Sequence, residues 1–271
     1  MDSYGIVSKQ RQIYDNNLDY HYEELENKGF TIMKGKLNKK LIPLLRKKIK
    51  SIYEKQLSDF SIKDLKKIGD LNTARCPMAY DKYFLRFVKM KFVRDIVQNV
   101  IGDNFHLILQ NGIINTPNVK HHQGNWHRDL PYQDYTTSKP IALSIYFTLN
   151  NYNKKNGGII LLPGSHKMDS LPSLKYLKNN YFQVHCPAGS AIIFNSLLFH
   201  KAGINKSKSD RIGLNHIFSV PIIKQQICIK SIFKDQYKED LYLNKILGYK
   251  WDTPKNVNEY RLKKIEALKE K

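Results

Sequence analysis

Cysteine, arginine and long apolar stretches are all scarce in this sequence. The three cysteines among 271 residues, Cys76, Cys186 and Cys228, form no CxxC pair. This excludes a disulfide framework and favours a reducing, cytoplasmic location. No run of about 18 apolar residues occurs, so we predict no membrane span. The opening MDSYGIVSKQRQIYDNN has no apolar segment, so we also expect no signal peptide.

The positive charge is large but carried mostly by lysine. Lys and Arg total 45 against 24 Asp and Glu, a formal net charge of +21, and only 8 of the cations are arginines. Such a balance can indicate nucleic acid, anionic lipid or an anionic substrate. The cations are spread along the whole chain, however, and the chain is also rich in Asn, Ile and Tyr, which share A/T-rich codons with Lys. We therefore favour a solvated lysine-rich surface over a nucleic-acid-binding face.

Apolar residues follow a helical period in the first hundred residues. Asn38 can cap an amphipathic helix over 39–57, Ser61 can cap a short helix that ends near Gly69, and residues 80–100 predict one further helix ending at Gly102. The segment after residue 221 is again polar and helical in character. We therefore predict helical parts at 1–103 and 221–271.

Short β-branched segments fill the interval between these helical parts. Residues 141–149 alternate, with Ala142, Ser144, Tyr146 and Thr148 on one face. Further strands are predicted in NFHLILQNGIINTP, GGIILLPG, GSAIIFN and RIGLNHIFSVP. No helix separates these strands, so the pattern predicts a sandwich, jelly roll or barrel at 104–220. We predict a single domain, 1–271, that is mainly β with flanking helices.

A candidate metal site starts with the sequence His127-Arg-Asp129. In an extended segment these two side chains project to the same side. His200 follows another predicted strand 73 residues later. Two histidines and one carboxylate form the facial triad of non-haem Fe(II) oxygenases. A single HxD also arises by chance, and His21-Tyr22-Glu23 is discounted because it lies in a helical stretch.

Arg211 strengthens this interpretation. It begins an apolar strand 11 residues after His200, and an unpaired buried cation is unfavourable, so it requires an anion. Its planar guanidinium suits a carboxylate bound through two hydrogen bonds. The order of His200 and Arg211 therefore predicts a carboxylate site close to the metal.

These motifs together resemble the phytanoyl-CoA dioxygenase family of Fe(II)/2-oxoglutarate-dependent oxygenases. The resemblance rests on WHRDLPY, on NGGIILLPGSHK and on AGSAIIFNSLLFHKAGINKSKSDRIGLNHIF, in family order. It also rests on the opening ELENKGFTIMKGKLNKKLIPLLRKKI, which is similar to the family's N-terminal strand and helix. It covers about residues 23–220. It implies a double-stranded β-helix, that is, a jelly-roll core of the cupin-like kind.

The resemblance also implies roles for individual residues. His127, Asp129 and His200 would be the catalytic metal ligands for Fe(II), with 2-oxoglutarate and O2 as cosubstrates, and Arg211 would pair with the distal carboxylate of 2-oxoglutarate. Tyr146 matches an aromatic position near the cosubstrate. Gln110 is a weaker cosubstrate candidate, for which a structural hydrogen bond is an equal alternative. Gly213 departs from a serine in many relatives, so one cosubstrate hydroxyl is missing there.

The implied activity is hydroxylation of a small molecule or biosynthetic intermediate, with release of succinate and CO2. Related halogenases have a small residue in place of Asp129, so the carboxylate favours hydroxylation, or desaturation or ring chemistry. Two alternatives stay open: a nucleic-acid- or protein-modifying oxygenase that uses the positive charge, and a catalytically silent jelly-roll binding module. The substrate is not specified; Lys120, His121, His122 and Lys139 could attract an anionic group.

Overall fold

A computed structural model describes residues 17–130 and 133–269. The predicted helical parts 1–103 and 221–271, and the WHRDLPY motif, extend in part beyond these residues. Residues 1–16, Pro131, Tyr132 and residues 270–271 lie outside the described ranges. No helix in the described ranges is long and apolar enough to cross a membrane.

Nine strands and ten α-helices make up the described fold. The strands are β1 (Phe30–Met33), β2 (Thr73–Arg75), β3 (His106–Asn115), β4 (Ala142–Thr148), β5 (Ile160–Leu161), β6 (Phe182–Gln183), β7 (Ala191–Asn195), β8 (His200–Lys201) and β9 (Arg211–Ser219). The helices are α1 (Asn17–Asn27), α2 (Ile42–Leu57), α3 (Ile62–Lys67), α4 (Pro77–Tyr80), α5 (Leu85–Val88), α6 (Lys91–Ile101), α7 (Leu174–Asn180), α8 (Ile229–Phe233), α9 (Leu241–Leu247) and α10 (Val257–Lys269).

The strands form two antiparallel sheets. The larger has the order β1-β7-β4-β9-β3-β2, and the smaller has the order β6-β5-β8. At the centre of the large sheet, β4 pairs with β9 so that Tyr146 lies opposite Asn215 and Ile145 opposite His216. Non-consecutive neighbours, antiparallel pairing and flanking helices confirm the predicted mainly-β jelly-roll class.

Two strands of the large sheet lie in the segment predicted to be helical. β1 pairs with the edge of β7, and β2 pairs with β3. The sheet therefore extends beyond the predicted strand region 104–220. These strands have only four and three residues, too few to show a two-residue alternation between neighbouring helices.

Helix α2 covers the side of the large sheet that faces away from the candidate site. The side chain of Asn38 accepts a hydrogen bond from the Lys40 amide, at 2.9 Å, in a 3-10 turn that leads into α2, as its capping role predicts. The buried stripe of α2 contains Ile42, Leu45, Ile49 and Ile52. A Cβ at Gly112 of β3 would lie 2.6 Å from Ile49. A glycine at this position therefore lets the helix approach the sheet closely.

The single helix predicted over 80–100 is divided into pieces. Asp81 caps a 3-10 turn over Lys82–Phe84, which leads into α5. Met90 then adopts an extended conformation (φ −62°, ψ 131°) before α6 begins. Gly102 ends α6 at φ 102°, as predicted. The apolar spacing continues through the break because all pieces pack against the same core.

The two faces of β4 lead to different environments. Leu143, Ile145 and Phe147 belong to the apolar core shared with the helices. Tyr146 belongs to a second cluster, between the sheets, with residues such as Leu161 and Phe194. The alternation read from 141–149 therefore predicts which side chains face the interior of the jelly roll.

Candidate active site

A short antiparallel bridge brings the two candidate histidines together. The amide of His127 donates to the carbonyl of His200, and the amide of His200 donates to the carbonyl of His127, both at 3.0 Å. Directly paired residues project to the same face, and the imidazole centroids lie 4.3 Å apart. The amide of Asp129 donates to Ser196 at 3.0 Å, which continues the pairing and places the carboxylate beside both rings.

The potential ligand atoms of His127, Asp129 and His200 all lie within 4.8 Å of one another. Nδ1 of His127 lies 2.9 Å from the carbonyl of Asn125, and Nδ1 of His200 lies 2.9 Å from the carbonyl of Leu198. A carbonyl can only accept, so each Nδ1 carries the proton and donates it. Both Nε2 atoms are therefore turned toward the centre of the cluster, as in metal-bound histidines.

The cluster has the electrostatics of a cation site. His127 Nε2 is buried with no hydrogen-bond partner among the described residues. His200 Nε2 lies 3.3 Å from Oδ1 of Asp129, so a cation at this place would contact both atoms. Burial, together with the nearby His200, lowers the pKa of His127 to about 4. His127 is therefore a neutral ligand near neutral pH.

Asp129 and His200 shift each other's pKa in opposite directions. Burial opposes ionisation of Asp129, but His200, His127 and the Ser144 hydroxyl outweigh it and lower the pKa of the carboxyl. Burial likewise opposes protonation of His200, but Asp129 outweighs it and raises the pKa of the imidazole. A metal ion bound at Nε2 of His200 would therefore compete with a proton for this atom.

Ser144 is a site residue that the sequence motifs do not identify. Its hydroxyl donates to Oδ2 of Asp129 at 2.5 Å and lies 2.8 Å from the Ser196 hydroxyl. It belongs to the polar face of β4 that the alternation identified. That pattern could have suggested a role for Ser144, but only the fold shows that the carboxylate lies against it.

Arg211 lies in the same cavity as the histidine–aspartate cluster. This narrow cavity is lined by His127, Asp129, His200, Arg211, Tyr146 and Asn215, among others. Arg211 is only 1% exposed, and its Nε and Nη1 have no hydrogen-bond partner among the described residues. A buried guanidinium with free donors next to a cavity suits an anionic ligand.

The structure does not bring Gln110 to this cavity. Its side chain accepts from the Met78 amide at 3.0 Å, donates to the Phe84 carbonyl at 3.1 Å and lies 2.9 Å from Nε2 of His216. These groups lie on the helix-covered side of the sheet. The contacts match the structural alternative that the sequence left open.

The four residues proposed from the sequence to attract an anion are not equivalent. His121 is buried, stacks on His122 with centroids 4.3 Å apart, and its Nε2 has no hydrogen-bond partner among the described residues. Lys139 instead lines a separate cavity with His166 and Lys167. Burial, together with the nearby His122, Arg211 and His127, lowers the pKa of His121 to about 3, so His121 lies near the cluster but is neutral near neutral pH.

A second cavity adjoins Asp129 on its other side. It has a volume of about 500 Å³ and apolar walls that include Ile108, Leu130 and Ile217, with Gln133 and Lys224 among its polar lining. Asp129 lines both cavities. A molecule in the larger cavity would therefore lie next to Asp129 while the narrow cavity holds a separate ligand.

Comparison with known proteins gives a family match. The sequence profile described as Phytanoyl-CoA dioxygenase (PhyH) matches residues 25–213. An uncharacterized protein of Mycobacterium tuberculosis is 29% identical over 255 residues, with 91% of this chain and 92% of that protein covered. The peroxisomal phytanoyl-CoA dioxygenase of Homo sapiens is 20% identical over 249 residues, with 81% and 70% covered.

Solved structures share the fold at low sequence identity. The non-heme monooxygenase ThoJ in a nickel complex has a TM-score of 0.58 at 15% identity, with 76% of this chain and 79% of that chain covered. The epimerase SnoN, in complex with Fe3+, alpha ketoglutarate and nogalamycin RO, has a TM-score of 0.57 at 12% identity, with 75% and 84% covered.

Proposed function

The chain belongs to the phytanoyl-CoA dioxygenase family of Fe(II)/2-oxoglutarate-dependent oxygenases, and we propose on this premise that it hydroxylates a small molecule. One observation carries the proposal: the His127–Asp129–His200 cluster and the buried Arg211 line the same narrow cavity. The first suits the family's metal ion and the second suits the free carboxylate of its cosubstrate.

In this proposal His127, Asp129 and His200 hold Fe(II) through Nε2, a carboxylate oxygen and Nε2. Three protein ligands leave positions for small ligands on a metal that prefers six. When bound, the iron and 2-oxoglutarate supply oxidative chemistry that yields succinate and CO2. The protein residues position the reactants: the Asn125 and Leu198 carbonyls fix the imidazole orientations, and Ser144 holds the carboxylate.

Arg211 is the proposed partner of the distal carboxylate of 2-oxoglutarate. Its guanidinium is almost fully buried and retains free N–H donors among its described contacts. A charged pair in such a site is well shielded from water and favours ligands that carry the second carboxylate over ligands that lack it. Tyr146 and Asn215 line the same cavity and are proposed to offer further polar contacts.

The cavity of about 500 Å³ beside Asp129 is the proposed substrate site. Its volume lies within the range of about 300–1,000 Å³ that is typical of small-molecule sites. Apolar walls with a few polar groups favour a small, partly apolar substrate over a polymer. Asp129 occupies a ligand position itself, which favours hydroxylation over transfer of a halide.

A succinate-release assay tests this proposal. Purified protein is incubated with Fe(II), 2-oxoglutarate and O2, with and without a panel of small molecules, and succinate and hydroxylated products are measured. We expect succinate formation that requires all three components and increases with a substrate. His127→Ala should abolish it while the far-ultraviolet circular dichroism spectrum stays unchanged. A protein that binds neither iron nor 2-oxoglutarate would instead be a silent binding module.

A further inference from the structure

Tyr152 contacts Arg211, the proposed partner of the distal carboxylate, and Tyr146, which lines the same cavity. Tyr152 does not line the cavity itself. It is 1% exposed. The guanidinium carbon of Arg211 lies 4.5 Å from the centroid of its ring, and its hydroxyl lies 3.1 Å from the Tyr146 hydroxyl. Tyr152 thus lies directly behind the cavity wall formed by Arg211 and Tyr146.

The direction of the hydrogen bond between the two tyrosines determines where the Tyr146 proton points. The Tyr152 hydroxyl has one proton and two acceptors within reach, the Tyr146 oxygen at 3.1 Å and the Ile212 carbonyl at 3.3 Å. The shorter contact, to Tyr146, is the one that this inference uses, because the Ile212 carbonyl also accepts from the Leu149 amide at 3.0 Å. Burial raises the pKa of Tyr152 well above its ordinary value, so it remains a donor. Because its oxygen accepts this bond, Tyr146 is free to donate its own proton into the cavity it lines.

Gly213 makes the position of Tyr146 possible. A Cβ at Gly213 would lie 2.1 Å from Cε1, 2.3 Å from Cζ and 2.3 Å from the hydroxyl oxygen of Tyr146. Gly213 is not among the glycines with positive φ in the described residues, so space, rather than backbone conformation, requires glycine there. The phenol of Tyr146 occupies the space that a side chain at position 213 would fill.

We propose that Tyr152 is a positioning residue for 2-oxoglutarate: by donating to Tyr146 it directs the Tyr146 hydroxyl toward the carboxylate that Arg211 binds, in space provided by Gly213. This inference rests on the proposed function. It accounts for the hydroxyl that is missing at position 213, since the ring of Tyr146 delivers one to the same volume from β4.

Ligand binding without turnover tests this role. Calorimetric titration of Mn(II)-loaded protein without O2 measures the Kd of 2-oxoglutarate and, separately, of pyruvate, which has the 2-oxo acid but lacks the distal carboxylate. Tyr152→Phe should weaken 2-oxoglutarate binding about tenfold, as expected for one lost hydrogen bond in a charged site. Pyruvate binding should stay unchanged. A general structural defect would weaken both ligands.

Further variants separate the proposed chain of contacts from simple packing. Tyr146→Phe should weaken 2-oxoglutarate binding at least as much, and adding Tyr152→Phe should have little further effect, because Tyr152 acts through Tyr146. Gly213→Ser should weaken 2-oxoglutarate binding, because the serine side chain displaces the Tyr146 ring. Combining Gly213→Ser with Tyr146→Leu should restore part of the affinity. Tyr242→Phe is the matched control, since that hydroxyl bonds to the Val88 carbonyl, away from the cavity.

The outcomes distinguish this inference from the proposed function. If the unaltered protein binds no 2-oxoglutarate, the proposed function fails and this role fails with it. If the unaltered protein binds 2-oxoglutarate but Tyr152→Phe leaves its Kd unchanged, or weakens pyruvate equally, only the positioning role is overturned. Fully additive effects of Tyr146→Phe and Tyr152→Phe would also overturn it.

Discussion

Ser144 allows a direct test of how the metal ligands are oriented. Its hydroxyl donates to Oδ2 of Asp129 at 2.5 Å, and both Ser144 and the adjoining Ser196 are fully buried. Ser144→Ala removes this donor without changing a ligand. The carboxylate then loses a contact that fixes its rotation and that stabilises its charge, so metal affinity should fall.

The expected size follows from the charge of the acceptor. A hydrogen bond to a charged group contributes about 1.5–3 kcal/mol, and each 1.4 kcal/mol, roughly, corresponds to a factor of ten in Kd. Loss of an outer-shell partner of a metal ligand typically lowers affinity about 10- to 100-fold. The two estimates agree, so we expect the Kd for Mn(II) or Fe(II) to rise about tenfold to a hundredfold.

Calorimetric titration of metal-free protein with Mn(II), in the absence of O2, measures this change. Ser190→Ala is the matched control, because Ser190 is equally buried and its hydroxyl donates to the Pro187 carbonyl at 2.7 Å, outside the cavity. The control should keep the native Kd. If Ser144→Ala also keeps it, Ser144 does not hold the metal-bound carboxylate, and its contact with Asp129 exists only in the metal-free protein.

Three further predictions concern Arg211, Asp129 and His216. Arg211→Ala should raise the Kd of 2-oxoglutarate by about two to three orders of magnitude, with Arg211→Lys intermediate and Mn(II) affinity unchanged, as calorimetry would show. Asp129→Gly should sharply reduce hydroxylated product and open a ligand position to halide; chlorinated product from the unaltered enzyme would contradict the assignment of hydroxylation. Burial lowers the pKa of His216 to about 3, below its unfolded value of about 6.5, so the folded state resists its protonation. The contribution of neutral His216 to the free energy of unfolding is fully present above pH 6.5 and is lost as the pH falls toward 3. Denaturant titrations over this pH range should show that the unfolding free energy decreases less steeply with falling pH for His216→Gln than for the unaltered protein. Equal slopes would refute this.

The sequence predicts local elements best where one face is buried. The alternation of 141–149 identifies β4, and Asn38 and Gly102 mark real helix boundaries. Residue periodicity does not identify β1 and β2, because strands of three or four residues gain their structure from pairing with β7 and β3 rather than from their own composition. A strand near β1 is expected only from the family resemblance of the opening segment.

The site is predictable to the extent that it depends on residue type and spacing. His127, Asp129, His200 and Arg211 come together as expected. The face on which Gln110 projects depends on register: Asn111 pairs with Asn215 and Gln110 with His216, after an irregularity between Leu107 and Leu109. No sequence pattern indicates a role for Tyr152, because its contacts with Tyr146 and Arg211 arise only from tertiary packing.

The backbone pairing of His127 with His200 affects the order in which this protein matures. The 72 residues between them contain β4, β5, β6 and β7, so we expect strands of both sheets to assemble before this large loop closes. A partly folded chain therefore cannot bring the ligands together, and metal uptake should follow folding. Since the ion binds only the native state, it adds about 2.7 kcal/mol of stability at a free concentration of 100 times Kd, and a chelator should increase the rate at which purified protein is degraded by a protease.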